Sequence, residues 1–174
     1  MKYGITFFVV ILSNMACFAQ DMSYPVPPLK QGHLFYLQHS RNKNTVVYGL
    51  NYKGTSLDNN EPVVGFWIRY SENGQRQELN AVQKKFAYGI VCSAIQDNSY
   101  EICFVSNKKY KMYLQQSKDG PYHACTTINQ RRAILTHLFV SIIGGSALSP
   151  TIEYVEIYGI DSISKNAISE RVRI

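Results

Sequence analysis

The sequence predicts an all-β domain, mainly antiparallel, of about nine strands arranged as a barrel or a sandwich, with one short α-helix around residues 77–86. Three observations carry this expectation. From His33 onward the chain is a succession of short segments rich in β-branched and aromatic residues, the types that fit a pleated, half-buried surface. Turn-forming stretches separate them: "SRNKN", "KGTSLDNNEP", "QDNS", "SNKK", "SKDGP" and "GGSALSP". Thirteen tyrosines and eight phenylalanines among 174 residues supply large side chains for such a core.

The chain opens with Lys2, an apolar run from Ile5 to Leu12 and small residues before Gln20. This is the pattern of a secretory signal peptide over residues 1–19, cleaved after Ala19. Export to the periplasm or the extracellular space is therefore expected. A lipid anchor at Cys17 is the alternative, but Asn14 stands where that signal needs an aliphatic residue. No apolar run reaches the roughly 20 residues of a transmembrane helix. Residues 20–32 hold Pro25, Pro27 and Pro28 and read as an extended lead-in, because each Pro fixes φ and lacks a donor. Residues 33–174 form a single β-rich domain. Cleavage removes Lys2 and takes the formal charge from +6 to +5. The cations are spread along the chain, which argues against nucleic acid as a partner.

The expected strands are Leu34–His39, Thr45–Tyr52, Val63–Tyr70, Ala87–Ile95, Tyr100–Val105, Tyr110–Gln116, Tyr122–Ile128, Ala133–Ile143 and Ile152–Ile160. Asn73-Gly74 is a hairpin signal, since both residues tolerate positive φ. The residues after it do not alternate as a returning strand should. Leu79, Val82 and Phe86 instead share one helical face at i, i+3 and i+7. The expectation is that Asn73-Gly74 ends a strand and leads into a two-turn helix, which packs its apolar face on the sheet and caps one open end.

Strand alternation puts Phe66, Ile68 and Tyr70 on one face, with Trp67 and Arg69 on the other. Likewise Tyr110, Met112 and Leu114 oppose Lys109, Lys111, Tyr113 and Gln115. The mixed faces have two readings. They are an exterior on which long cations lie along aromatic rings, or the polar lining of a barrel interior.

The stretches "LFYLQHSRNKNTVVYGLNYK" and "VGFWIRYSENGQRQELNAVQKKFAYG", with "YVEIYGID" near the end, resemble a bacterial family of secreted proteins known as domain of unknown function 4833. The most specific parts are Trp67–Tyr70 and Lys85–Gly89. The resemblance covers most of the chain after the signal peptide. It implies one exported domain, with no assigned activity and no catalytic residues to transfer.

Cys92, Cys103 and Cys125 follow the signal peptide. A two-residue turn at Asp97-Asn98 sets Cys92 opposite Cys103 and permits a disulfide, while small buried thiols are the competing reading. His33, His39, His123 and His137 show no metal-ligand spacing, so no metal or cofactor is expected. "GGSALS" lacks the last glycine of a nucleophile elbow. Glu153 and Glu156 point to opposite faces of a strand, and Glu78 or Glu101 could meet another acid only through the fold.

The candidate ligand-binding group is Trp67, Arg69, Tyr70, Arg76, Lys84, Lys85 and Tyr88. Arg offers a planar fork to carboxylate or phosphate, and the rings stack on sugars or apolar rings. The functional expectation is a non-catalytic binding or envelope-associated module, with a small molecule, a glycan or an envelope protein as partner. The alternatives are a carboxylate- or His-dependent hydrolase, such as a glycosidase, and a structural protein–protein interaction module.

Overall fold

The computed structural model describes residues 24–96, 98–118, 120–147 and 149–174; the expected signal peptide, Cys17 and the first residues of the expected lead-in lie outside them. Within the described residues the order is β1 (His33–His39), β2 (Asn42–Leu50), β3 (Tyr52–Lys53), β4 (Ser56–Leu57), β5 (Val63–Arg69), β6 (Gln75–Glu78), α1 (Ala81–Phe86), β7 (Ile90–Gln96), β8 (Ser99–Phe104), β9 (Asn107–Gln116), β10 (Tyr122–Ile128), β11 (Arg131–Gly145), β12 (Pro150–Asp161) and β13 (Ala167–Arg173). Each of the expected strands is present. The additions are the tiny pair β3 and β4, and the polar strands β6 and β13.

The long β11 is the spine of the fold. Its first residues pair antiparallel with β10, from Ile128↔Arg131 to Cys125↔Ile134. Its second half then takes up β1 in parallel, from Tyr36↔His137 to His39↔Val140. Along its other edge runs β12, which in turn pairs β13. Two arms thus leave one edge of the spine: β10-β9-β8-β7 from its first residues, β1-β2-β5-β6 from its second half. The result is a curled, mostly antiparallel sheet forming a half-barrel. Gly159 of β12 permits the close approach at the spine: a Cβ there would lie 2.7 Å from the Ile134 carbonyl oxygen and 2.8 Å from Ile128 Cδ1.

The arms fold toward each other and bury their inner faces. Phe35 stacks on Tyr48 at 4.7 Å, and both meet Phe104 of the opposite arm edge-on, at 6.3 and 5.6 Å. Trp67, Val46, Leu37, Leu138 and Ile157 form one buried row across five strands. Burying each such side chain contributes about 1.5–3 kcal/mol. The convex face carries a second row, in which His137 is stacked between Tyr36 at 4.9 Å and Tyr158 at 4.1 Å. The lead-in lies against this face. Gln38 Nε2 donates to the Pro25 carbonyl at 2.8 Å, Tyr24 meets Phe139 edge-on, and Pro27 is fully buried.

The two mixed faces resolve differently. Trp67 belongs to the buried inner cluster, so the interior reading holds for β5. In β9 the inner residues are Met112 and Leu114, both fully buried, while Lys111 and Tyr113 face outward and Lys111 pairs with Glu101. The exterior reading holds there.

The segment after Asn73-Gly74 departs from expectation. Asn73 and Gly74 have φ of 65° and 69° and close a true hairpin, in which β6 returns along β5 from Arg69↔Gln75 to Phe66↔Glu78. The returning strand is polar throughout because it is an exposed edge, so backbone pairing and turn geometry define it without apolar alternation. Arg76 covers the Phe66 ring at 3.8 Å. The helix is correspondingly shorter than residues 77–86, and no residue of it is buried. Val82 and Phe86 are exposed; only Leu79, ahead of the helix, is in the core. Capping holds α1 instead of apolar packing: Gln83 N donates to Asn80 Oδ1 at 2.9 Å, and Asn80 N to Gln83 Oε1 at 3.0 Å.

The cysteine register also differs. A bulge between Ala94 and Gln96 shifts β7 by one residue, so Cys92 faces Ile102 and Cys103 faces Val91. A one-residue slip moves side chains to the opposite face. Cys92 packs against the inner core, Cys103 lies on the other side of the sheet, and all three cysteines are free thiols. The bulge therefore removes the geometry on which a Cys92–Cys103 disulfide depended. On the neighbouring strands Met112 pairs with Ile102, and Cys125 with Tyr113.

Candidate functional site

At one end of the half-barrel α1 and the β1–β2 turn overhang the concave face and leave a cavity of about 370 Å3. Its floor is the inner face of β1, β2 and β5, from which His39, Asn44, Trp67 and Arg69 project. Its roof is Asn80, Val82, Gln83, Ala87 and Tyr88. Ile142, Ala147 and Pro150 form the far wall, where β11 turns into β12.

Local chemistry fixes each side. Trp67 Nε1 donates to Gln83 Oε1 at 3.3 Å, tying the helix cap to the floor, and Tyr88 meets the Trp67 ring edge-on at 4.9 Å. Tyr88 is held from behind, because its carbonyl accepts the Tyr48 hydroxyl at 3.0 Å. Gly89 lets the chain turn under the helix: a Cβ there would stand 1.9 Å from the Lys84 carbonyl oxygen. The β1–β2 turn is stitched to the spine by Ser40. Its N donates to the Val140 carbonyl at 3.0 Å, and its Oγ accepts Ile142 N at 2.8 Å. Arg41 then reaches over the rim and donates to the carbonyls of Gly144, Gly145 and Ser146 at 2.7, 2.5 and 3.0 Å.

Electrostatically the cavity is basic. Arg69 pairs with Glu72, which compensates its charge, while Arg41 is held by neutral carbonyls alone among the described residues. Burial lowers the His39 imidazole below its ordinary value, and the nearby Arg41 charge lowers it further. Burial raises the Tyr88 phenol, with Arg41 opposing. His39 Nδ1 and Arg69 Nε are buried without a partner among the described residues.

Of the residues singled out from sequence, Trp67, Arg69 and Tyr88 meet in this cavity. The other four do not line it. Tyr70 lies on the opposite face of the strand direction, toward Tyr36. Arg76 sits on the convex face, between Phe66 and Glu78, while Lys84 and Lys85 point into solvent from α1. Sequence reasoning missed His39, Arg41, Asn42, Asn44, Asn80 and Gln83. One signal was available: alternation from Leu37 places His39 on the inner face, immediately before the polar turn "SRNKN".

Searches of curated proteins and of solved structures found no match. The family described as domain of unknown function (DUF4833) matches residues 35–171, which include both arms, the spine and every side of the cavity. The chain therefore belongs to the DUF4833 family.

Proposed function

We propose that this is an exported, non-catalytic domain that binds a small molecule in the cavity beneath α1. The observation that carries the reading is the convergence of Trp67, Arg69 and Tyr88 with four side-chain amides around one concave space. A few placed polar groups beside aromatic walls are the usual makeup of a ligand pocket. The acids lie elsewhere and are engaged: Glu101 with Lys111, Glu78 with Arg76, Glu156 with Arg171, and Glu153 with the Ser141 hydroxyl. No carboxylate lines the cavity among the described residues, which favours binding over carboxylate hydrolysis. Export rests on the N-terminal sequence of Lys2, the apolar run and the small residues before Gln20.

Trp67 is the only tryptophan in the chain and lines the cavity, so its fluorescence reports occupancy directly. Titrating a mixed panel of neutral, anionic and cationic small molecules should give at least one saturable change. Ala147→Phe, at an exposed wall position, should fill the space and abolish that change while leaving Tm within a few degrees. A panel without any response, or a response that survives Ala147→Phe, would remove the cavity as a binding site.

A further inference from the structure

We propose that the cavity recognises an anionic, acceptor-rich ligand, a small molecule carrying a carboxylate or a phosphate, with Arg41 as the principal charge partner. This deepens the binding reading above and rests on it. A side-chain amide has one acceptor oxygen and an NH2 with two donors. In this cavity the oxygens are already occupied by N–H groups that can only donate, which fixes the orientation of each amide. Asn42 Oδ1 accepts Asn44 N at 2.9 Å, and Asn44 Oδ1 accepts Ser71 N at 3.0 Å. Asn80 Oδ1 accepts Gln83 N, while Gln83 Oε1 accepts both Asn80 N and Trp67 Nε1.

None of the four NH2 groups donates to protein among the described residues. What the lining offers a ligand is therefore donors. To these Arg41 adds a charge that its carbonyl partners position without neutralising. Three of its N–H groups are used on Gly144, Gly145 and Ser146, and a guanidinium has five, so two remain. Arg69 contributes less, because Glu72 already pairs with it. A cationic ligand would meet the charges of Arg41 and Arg69 here, and a neutral one that must donate would find every amide oxygen already accepting, with the His39 ring nitrogen and the Tyr88 hydroxyl as the other acceptors. An oxyanion satisfies both the charge and the surplus of donors.

Glucose, glucuronate and glucose 6-phosphate present one ring as a neutral, a carboxylate and a phosphate form, and Trp67 fluorescence reads all three. The expected result is half-saturation about tenfold lower for at least one anionic form than for glucose, the effect of one added charge-assisted contact. Arg41→Gln should erase that advantage, and Arg41→Lys should keep part of it. Whichever of glucuronate and glucose 6-phosphate binds tighter identifies carboxylate or phosphate as the recognised group.

Equal binding of all three sugars, or an anionic advantage unchanged in Arg41→Gln, would overturn the proposal while leaving the binding site intact. Silence of all three, with a neutral or cationic panel compound binding in the Ala147→Phe-sensitive manner, would do the same. Silence of every compound would instead remove the binding reading itself. Circular dichroism of each variant separates lost folding from lost affinity. If Arg41→Gln does not fold, the comparison of Arg41→Lys with the unsubstituted protein decides, an unchanged anionic preference counting against Arg41.

Discussion

Replacing Gln83 with Leu tests how a helix without a buried residue is held in place. The side chain accepts the Trp67 indole N–H at 3.3 Å and the Asn80 backbone N–H at 3.0 Å. Leu preserves the approximate volume and removes both acceptors. Trp67 is 5% exposed, so its orphaned donor has little access to water, and leaving such a group unpaired costs about 1–3 kcal/mol. Losing half of the capping box adds roughly 0.5 kcal/mol, at the low end for caps. The expected loss is thus about 2 kcal/mol, or a fall in Tm of about 4–8 °C for a domain of this size.

Urea unfolding followed by the single Trp67 measures the loss at the contact itself. Gln83→Glu retains the acceptors and should recover most of the stability. Asn80→Ala should cost about 1 kcal/mol and couple to Gln83→Leu in a double-mutant cycle. A Gln83→Leu protein within about 0.5 kcal/mol of the parent, the range of an ordinary surface substitution, would refute the idea that this contact anchors the roof.

Gly89→Ala should be more damaging, because the 1.9 Å approach to a backbone oxygen forces the helix end to move; a Tm within a few degrees of the parent would contradict the geometry. All three cysteines should alkylate in urea without reductant, as read by peptide mass. In the folded protein Cys92 should react slowly at pH about 8, since burial pushes its thiol up to about 11. Finding Cys92 and Cys103 protected together would restore the disulfide. Stability should fall on mild acidification. Burial holds His33, His39 and His137 below the ordinary imidazole value, so the unfolded chain binds protons first as pH drops through about 6.5. Their contribution is complete above that pH and declines below it. The urea midpoint should therefore decrease from pH about 7.5 to about 5.5, and His137→Phe, which keeps the stack with Tyr36 and Tyr158, should flatten part of the slope. An equal midpoint at both pH values would reject the assignment.

Local composition was enough to place the strands with buried inner faces, because β-branched and aromatic residues mark them whatever their partners. It was also enough to put Trp67 and Arg69 on one face. Two kinds of feature escaped. Edge strands such as β6 and β13 take one side of their pairing from a neighbour and leave the other in water, so "QRQE" and "AISERVR" carry polar residues that do not announce a strand. Bulges are the other kind. One extra residue near Ile95 changed the facing of every pair from Ala94 to Ile90, and no residue there demands it. The cavity was half legible for a related reason. Trp67 and Tyr88 belong to one continuous segment, whereas Arg41 meets Gly144 across 103 positions of sequence, a contact that only the path of the spine creates.

That path also explains why a cavity forms at this end. Antiparallel neighbours can be joined by a tight hairpin that closes over their shared end. The one parallel pairing among the described residues, β1 with β11, cannot be joined in this way. Both strands leave the pairing at the same end in different directions: β1 turns at Ser40 into β2, and β11 continues to Gly145 before reversing into β12. The two exits diverge over the concave face, and the space between them is what Arg41 spans through the carbonyls of Gly144, Gly145 and Ser146. The helix α1 closes the third side without filling it, because its apolar residues Val82 and Phe86 are not drawn into the core. A better-packed helix would have sealed the opening. The weak apolar anchoring of α1, compensated by the Asn80–Gln83 cap and the Trp67 contact, is thus the structural condition for having a site at all.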